Sequence, residues 1–330
     1  MGEFELIDRY FRTAAAQMLQ RRGDVALGIG DDAAVLEVPT GRQLVAAIDT
    51  MVEGRHFPAG CAARSIGHRA LAVNLSDLAA MGADPAWFLL ALTMPAASSA
   101  FLAEFARGLF ELASQHGVAL VGGDTTAGPL SMSVQVLGTV PLGTAITRSG
   151  AAQGDLLYVS GTPGDAAAGL QHLLRAMPGA SDSDMPDTQQ YLLQRFLYPE
   201  PRVELGLALR GVASACIDVS DGLAADAGRL AAASGCGASI DVDQLPLSAA
   251  LLQAGAAQAV SYALTGGDDY ELCFTVAPAR RAQLEARLAN VKCRVSCIGR
   301  VDEKLSLRIL RDGNPVKCDT RGYDHFSGPG

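Results

Sequence analysis

Aspartates beside small residues recur along this chain of 330 residues, and together they could bind metal and phosphate. Carboxylates are hard oxygen ligands that suit Mg²⁺, and a neighbouring glycine lets the backbone turn tightly enough to approach a phosphate. The pattern predicts a Mg-nucleotide site assembled from distant segments. Six segments carry it: Gly30-Asp31-Asp32, Ile48-Asp49-Thr50, Ser76-Asp77, Gly122-Gly123-Asp124-Thr125, Asp218-Val219-Ser220-Asp221 and Gly266-Gly267-Asp268-Asp269.

Lysine is scarce, which restricts how the charge of ATP could be neutralised. Of 26 basic residues, only Lys292, Lys304 and Lys317 are lysines. A P-loop needs a lysine after its glycine loop and a protein kinase needs one on an early strand, so both folds are excluded. Metal ions held by aspartates are the remaining means, and more than one Mg²⁺ is expected because the carboxylates would otherwise repel one another. The candidate metal ligands are Asp31, Asp49, Asp77, Asp124, Asp218 and Asp221.

Each aspartate taken alone has a simpler explanation. An aspartate after glycine is usually a turn residue or a helix cap, and Asp221 before Gly222 could be such a cap. Each cluster follows or opens a predicted element, so the side chains are expected at strand ends and helix starts, where α/β proteins place ligands. The number of clusters, together with the scarcity of lysine, favours the binding site.

Composition excludes several other classes of protein. The net charge is -9 and the sequence pI is about 5.0, so an electrostatic footprint for nucleic acid or an anionic membrane is missing. The acidic start lacks a secretory signal, and the most apolar stretch, Ala86 to Met94, is too short to cross a bilayer. Seven scattered cysteines predict reduced, mostly buried thiols. We therefore expect a cytoplasmic protein that binds small molecules.

Hydrophobic periodicity predicts alternating helices and strands in two domains. The chain restarts a strand at Asp155 after a glycine-rich segment, so a boundary is expected near residue 150, between domains 1–150 and 151–330. Helices are predicted at 3–20, 63–81, 98–117, 164–177, 188–197 and 202–211, and strands at 25–29, 44–48, 87–93, 118–121, 131–140, 155–159, 215–219, 238–242, 271–276 and 294–301.

Six longer motifs follow one another along the chain: GIGDDAA at 28–34, DTMVEGRHF at 49–57, NLSDLAAMGA at 74–83, GGDT at 122–125, DVSDGL at 218–223 and GDDYEL at 267–272. Together they closely resemble the thiamine-monophosphate kinases. The resemblance runs from about residue 3 to Phe326. It implies an α/β (α+β), two-domain aminoimidazole ribonucleotide synthetase-like fold, with an N-terminal domain that dimerises and binds ATP and Mg²⁺ and a C-terminal domain that adds metal and substrate residues.

The same resemblance implies ATP-dependent phosphorylation of thiamine phosphate to thiamine diphosphate, with roles for particular residues. Carried onto matching positions, the six aspartates are magnesium ligands. ATP contacts fall on Gly123, Asp124, Arg148 and Ser220, and substrate contacts on His56, Asp268 and Tyr323. The family often has glutamate where this chain has Asp268, and tryptophan where it has Tyr323. Whether Asp268 or Asp269 contacts the substrate stays open.

A phosphate acceptor suits a site without a general base, because its second pKa of about 6 leaves it largely anionic at neutral pH. We expect in-line transfer of the γ-phosphoryl group, with Mg²⁺ and Arg148 relieving repulsion between the two anions. His56 could be a base, but a substrate contact or local packing is the stronger interpretation. Two other possibilities stay open: aminoimidazole ribonucleotide synthetase chemistry, and a regulatory or scaffold dimer that binds Mg-ATP without turnover.

Overall fold

The chain separates into two compact units in a computed structural model that describes residues 3–20, 22–175 and 185–322. Unit 1 comprises Met1–Leu78 and Ala83–Ala145, and unit 2 comprises Ala79–Gly82 and Ile146–Gly330. Within the described ranges, no helix is both long enough and apolar enough to span a membrane.

Unit 1 is built on a four-stranded sheet with the order β3-β6-β4-β5, in which the β4–β5 pair is parallel and the other pairs are antiparallel. β1 and β2 form a separate two-stranded ribbon. The strands are β1 Val25–Leu27, β2 Val35–Leu36, β3 Arg42–Val52, β4 Asp84–Met94, β5 Ala119–Ala127 and β6 Ser131–Pro141. The helical segments are α1 Glu3–Leu6, a π-helix Ile7–Arg12, α2 Thr13–Leu19, α3 Ala63–Ala80 and α4 Ser99–His116.

Local sequence explains most of these boundaries. Ser98 caps α4 by accepting the Phe101 N–H, and α4 ends at Gly117 in the left-handed conformation, as its sequence predicts. The predicted opening helix over 3–20 is helical throughout 3–19, but its middle turn is π-helical. This π-helix places a buried Phe11 beside Arg12, and π-turns often occur at functional sites.

The prediction that the acidic clusters lie at strand ends and helix starts is wrong for three of them. Asp77 lies in the last turn of α3. Asp49 lies inside β3 and Asp124 inside β5, because both strands run further than their apolar cores suggest. Strand β5 continues through Gly122 and Gly123. A bulge shifts its register against β4, and Gly123 lies very close to β4. An added Cβ at Gly123 would lie 1.9 Å from the Leu90 carbonyl oxygen. Only glycine fits there.

Unit 2 is built on a seven-stranded sheet with the order β13-β12-β9-β11-β7-β10-β8, antiparallel except for the β9–β12 pair. The strands are β7 Leu156–Ser160, β8 Ala215–Val219, β9 Gly237–Asp241, β10 Glu271–Val276, β11 Val295–Asp302, β12 Leu307–Arg311 and β13 Asn314–Val316. The α-helices are α5 Asp165–Arg175, α6 Asp187–Leu197, α7 Val203–Leu209, α8 Leu223–Ala233, α9 Ala249–Leu252, α10 Ala256–Thr265 and α11 Arg281–Leu288.

The core of unit 2 fixes the strand ends that carry the remaining aspartates. Ile217 of β8, Leu223 and Leu230 of α8, and Ile298 of β11 belong to one buried apolar cluster. Every residue of β8 and β10 is buried, although β8 is an edge strand. Because both strands are buried, the residues that follow β8 and precede β10 are held in fixed positions relative to each other.

Candidate active site

A cleft of about 460 Å³ in unit 1 brings together three of the predicted site residues: Asp31, Gly123 and Asp124. Phe11 of the π-helix lies on its apolar wall. Asp31 and Asp124 are exposed at this cleft, and the Asp31 carboxylate accepts the N–H of the next residue at 2.9 Å. The cleft therefore combines an apolar wall with two carboxylates, which suits a ligand that has both a ring and a metal-bound phosphate.

Asp49 and Asp77 do not line this cleft, but one helix residue connects their positions. The Asp49 N–H donates to Oδ1 of Asn74 at 2.8 Å, and Asp77 lies one turn further along the same helix, α3. Strand pairing aligns Asp49 with Gly123 across the whole sheet, β3 to β5. Three strand spacings separate their backbones by roughly 14 Å, which is too far for one ion to bind both Asp49 and Asp124 directly.

His56 lies in a tight turn that follows β3, and its hydrogen bond determines which ring nitrogen carries the proton. The backbone N–H of Val52 donates to Nδ1 of His56 at 3.0 Å, and the backbone N–H of His56 donates to the Val52 carbonyl oxygen at 3.0 Å. Because an N–H group can only donate, Nδ1 must be unprotonated, so the neutral ring carries its proton on Nε2. In this state Nε2 can donate a hydrogen bond but cannot take a proton from a substrate.

In unit 2, Ser220 and Asp221 form the turn between β8 and α8. Both of their backbone N–H groups donate to Oδ2 of Asp226, at 3.1 and 3.0 Å. Arg229 pairs with Asp226 at 2.6 Å and with Asp221 at 2.5 Å. Burial raises the pKa of Asp226, although the Asp221 N–H and Arg229 oppose this shift. Asp218 is a buried residue of β8, two residues before this turn.

The structure distinguishes the two adjacent aspartates of the GDDYEL motif. The Asp268 N–H donates to the Ser220 carbonyl oxygen at 2.9 Å, so Asp268 lies directly beside the Ser220-Asp221 turn and is partly exposed. Asp269 is fully buried and accepts N–H groups from Gly164 and Ala166 at 2.6 and 3.2 Å. Asp268 is therefore the member of the pair that can reach a ligand.

Two predicted site residues remain, Arg148 and Tyr323. Arg148 is exposed, and its carbonyl oxygen accepts a hydrogen bond from the Ser234 hydroxyl at 3.1 Å. The carbonyl oxygen of the preceding residue, Thr147, accepts the backbone N–H of Cys216 in β8. Tyr323 lies outside the described residues. Gly322, directly before it, contributes to a cleft of about 510 Å³ that is also lined by Asp221.

The donor set agrees with magnesium. In the described ranges, no three His, Cys, Asp or Glu side chains are grouped tightly enough to hold a metal by themselves. Mg²⁺ does not require such a group, because it usually keeps several waters and binds one or two carboxylates together with substrate phosphates. The exposed carboxylates of Asp31 and Asp124 at one cleft are the kind of oxygen donors that such an ion uses.

Comparison with known proteins places both units in one family. Residues 30–140 match the model described as AIR synthase related protein, N-terminal domain, and residues 152–310 match the corresponding C-terminal domain. The thiamine-monophosphate kinase of Salmonella typhimurium is 47% identical over 99% of each chain. The chain belongs to the thiamine-monophosphate kinase family.

Solved structures of this family agree with the fold. A thiamine-monophosphate kinase from Stenotrophomonas maltophilia K279a has a TM-score of 0.86 at 46% identity and covers 96% of this chain and 98% of its own. The structure of AaThiL complexed with AMPPCP and TMP has a TM-score of 0.76 at 32% identity, with 98% and 97% covered. The predicted fold class and the resemblance of the motifs to thiamine-monophosphate kinases are confirmed.

Sequence reasoning missed three residues at these sites: Arg12, Asp226 and Arg229. Arg12 is the one positively charged side chain among the described residues that line the unit 1 cleft. Asp226 and Arg229 hold the Ser220-Asp221 turn. The available signal for Asp226 was an acidic residue in the first turn of α8. For Arg12, no local sequence pattern indicates a π-turn that places the residue at a cleft.

The His56 geometry predicts a tautomer that NMR can measure. In ¹⁵N-labelled protein at neutral pH, Nδ1 of His56 should show the shift of an unprotonated ring nitrogen and Nε2 that of a protonated one, because Nδ1 accepts the Val52 N–H. The His56→Asn variant assigns the signals, since they must disappear in it. A protonated Nδ1 in the wild-type spectrum would contradict the hydrogen bond and reopen the role of His56 as a base.

Proposed function

We propose that this chain transfers the γ-phosphoryl group of ATP to thiamine monophosphate and forms thiamine diphosphate. The observation that supports this most strongly is the cleft at which Asp31, Gly123 and Asp124 meet, in a chain of the thiamine-monophosphate kinase family. A relative of 32% identity has been solved with AMPPCP and TMP, which agrees with a site for a nucleotide and a second ligand.

We further propose the distribution of ligands over the site residues. In unit 1, Asp31, Asp49, Asp77 and Asp124 bind magnesium, and Gly123 and Asp124 contact ATP. In unit 2, Asp218 and Asp221 bind magnesium and Arg148 and Ser220 contact ATP. His56, Asp268 and Tyr323 contact thiamine monophosphate. Several ions are needed because Asp49 and Asp124 are too far apart to share one.

The chemistry proposed for these residues is direct in-line transfer without a general base. The acceptor is a phosphate that is already largely anionic at neutral pH, so no proton has to be removed from it. Bound Mg²⁺ would supply the charge that lets two anions approach. Arg148 would hold phosphate oxygens, since a guanidinium presents several N–H donors. His56, with its proton on Nε2, would donate a hydrogen bond to the substrate.

We propose that two copies of the chain associate through unit 1. β3 is an edge strand, and its alternate residues Leu44 and Ile48 are 49% and 61% exposed on one face. An exposed apolar edge strand favours pairing with another chain. On this proposal, domain 1–150 binds ATP and Mg²⁺ and dimerises, domain 151–330 adds metal and substrate residues, and the protein acts in the cytoplasm.

A turnover assay with ATP, Mg²⁺ and thiamine monophosphate tests the function. We expect equal amounts of ADP and thiamine diphosphate, measured by chromatography. Leaving out thiamine monophosphate should abolish ADP formation above background. If the purified protein binds ATP but forms neither product, the kinase proposal fails and a binding protein without turnover remains.

Replacing Asp124 by asparagine tests the metal site. Asp124→Asn should lower kcat by roughly a hundredfold, because one preorganised charge at the reacting phosphates is lost. Asp187→Asn is the matched control: it removes one exposed carboxylate at the start of α6, and kcat should change less than twofold. Unchanged turnover of Asp124→Asn at saturating Mg²⁺ would remove Asp124 from the site.

The proposed dimer can be tested at the exposed face of β3. Ile48→Asp should weaken self-association at least about tenfold, because it places a charge in an apolar interface. The control is Leu305→Asp in unit 2, where the leucine is 79% exposed and outside the proposed interface. Sedimentation velocity over a range of concentrations measures both variants. Equal dimerisation of Ile48→Asp and wild type would exclude this face.

A further inference from the structure

The segment from Gly267 to Glu271 alternates between outward and inward residues. Asp268 and Tyr270 are partly exposed, whereas Asp269 and Glu271 are fully buried. Both outward residues have positive φ, 69° for Asp268 and 52° for Tyr270. In the part of the chain that the structure describes, only one other residue besides glycine has a positive φ. Side chains disfavour this conformation, so surrounding contacts must hold it in place.

Asp269, between the two strained residues, is attached to helix α5. Its two oxygens accept the backbone N–H groups of Gly164 and Ala166, at 2.6 and 3.2 Å, at the point where α5 begins. A carboxylate at a helix N-terminus satisfies N–H groups that have no partner within the helix and interacts favourably with the helix dipole. The direction of the segment at residue 269 is therefore set by a helix end.

Glu271 is held just as firmly on the other side of Tyr270. Its carboxylate pairs with Arg195 at 2.6 Å and Arg202 at 2.7 Å, and it also accepts the Ser160 hydroxyl. Burial alone would raise the pKa of Glu271, but Arg202 and Arg195 outweigh it and lower the pKa, so the charged form is the stable one. A Cβ on Gly161 would lie 2.0 Å from the Glu271 carboxylate, so the room for this side chain depends on a glycine.

Backbone hydrogen bonds fasten this segment, which includes the candidate substrate contact Asp268, to the end of β8 and the turn that follows it. The Asp268 N–H donates to the Ser220 carbonyl oxygen and the Tyr270 N–H to that of Val219, both at 2.9 Å. The Leu272 N–H donates to the Ser160 hydroxyl at 2.8 Å. With residues 269 and 271 anchored in the interior, Asp268 can only point outward beside Ser220.

We propose that Asp269 and Glu271 are positioning residues that hold Asp268 in a strained backbone conformation beside Ser220, and thereby set the affinity for the substrate that Asp268 contacts. The inference rests on the proposed function for the identity of that substrate, thiamine monophosphate. Asp269 and Glu271 touch no ligand themselves. They act through Asp268, and a residue that only stabilised the fold would leave substrate affinity unchanged.

The test compares two buried aspartates of the same region, Asp269 and Asp165. Asp165 is also fully buried, begins α5 and accepts hydrogen bonds from Thr162, Tyr191 and Ser248, none of which belongs to the 267–271 segment. Asp269→Asn should raise the KM for thiamine monophosphate about tenfold, with the KM for ATP changed less than twofold. Asp165→Asn should lower the melting temperature comparably and leave both KM values within twofold of wild type. If both variants lose stability and neither changes the KM for thiamine monophosphate, the inference is wrong.

A double-mutant cycle separates action through Asp268 from an independent effect. If Asp269 acts through Asp268, the Asp268→Asn, Asp269→Asn double variant should bind thiamine monophosphate no more weakly than Asp268→Asn alone. Additive losses would overturn the inference. Should Asp269→Asn fail to fold, Ser160→Ala replaces it, because it removes milder contacts to Glu271 and Leu272 and should raise the same KM.

A measurement that does not require turnover separates a failure of this inference from a failure of the proposed function. Absence of thiamine diphosphate formation by wild type would refute the proposed function alone. Hydrogen exchange then decides the positioning role: in Asp269→Asn, the amides of Asp268 and Tyr270 should exchange at least tenfold faster than in Asp165→Asn, because the anchor of their strained conformation is lost. Equal exchange in the two variants would refute it.

Discussion

A carboxylate removed from water must be compensated by donors or cations, and this requirement organises much of unit 2. Glu271 has two arginines and a serine hydroxyl, and Asp269 has the first N–H groups of α5. Asp226 has two backbone N–H groups and Arg229. Removing one partner from a buried ion pair typically costs about 3–5 kcal/mol, and leaving a buried group short of a hydrogen bond costs about 1–3 kcal/mol, so these contacts constrain the loops they join. The loops in question carry Ser220, Asp221 and Asp268.

The aspartates proposed to bind ligands are held differently. Asp31 and Asp124 are exposed at a cleft, where water and cations can reach their oxygens. Asp221 is intermediate, since its carboxylate is 30% exposed and paired with Arg229. Exposure therefore distinguishes Asp31 and Asp124 from the buried Asp226, Asp269 and Glu271, whereas Asp218 is proposed as a magnesium ligand although it is buried in β8.

Much of the fold was predictable because its strands are short, buried and bounded by clear turn residues. The predicted limits of β8 and β10 are those observed, and Ser98 caps α4 as expected. β12 and β13 lie outside the predicted strands, since β13 is fully exposed and β12 is a five-residue strand in which only Ile309 is buried. The sequence pattern predicts a strand end at the Gly-Gly-Asp segment, but β5 continues through it, because the close approach of Gly123 to β4 depends on a tertiary neighbour.

For the candidate site, the sequence motifs predicted which segments contribute residues, but not the residues that hold these segments in place. Asp31 and Asp124 meet at one cleft and Asp268 lies beside Ser220, as a shared site would require within each unit. Asn74 beneath Asp49 and the capping of α5 by Asp269 depend on contacts between residues 25 and more than 100 positions apart, which no local pattern reports.

Because exposure alternates along the GDDYEL segment, its two neighbouring aspartates, Asp268 and Asp269, should tolerate different substitutions during evolution. Position 268 faces outward, so a longer acidic side chain can be accommodated there by a shift of the ligand. Position 269 is enclosed between two N–H groups at 2.6 and 3.2 Å, and one additional methylene would displace the start of α5. Glutamate should therefore be an acceptable replacement at the first position among descendants of this chain and be eliminated at the second.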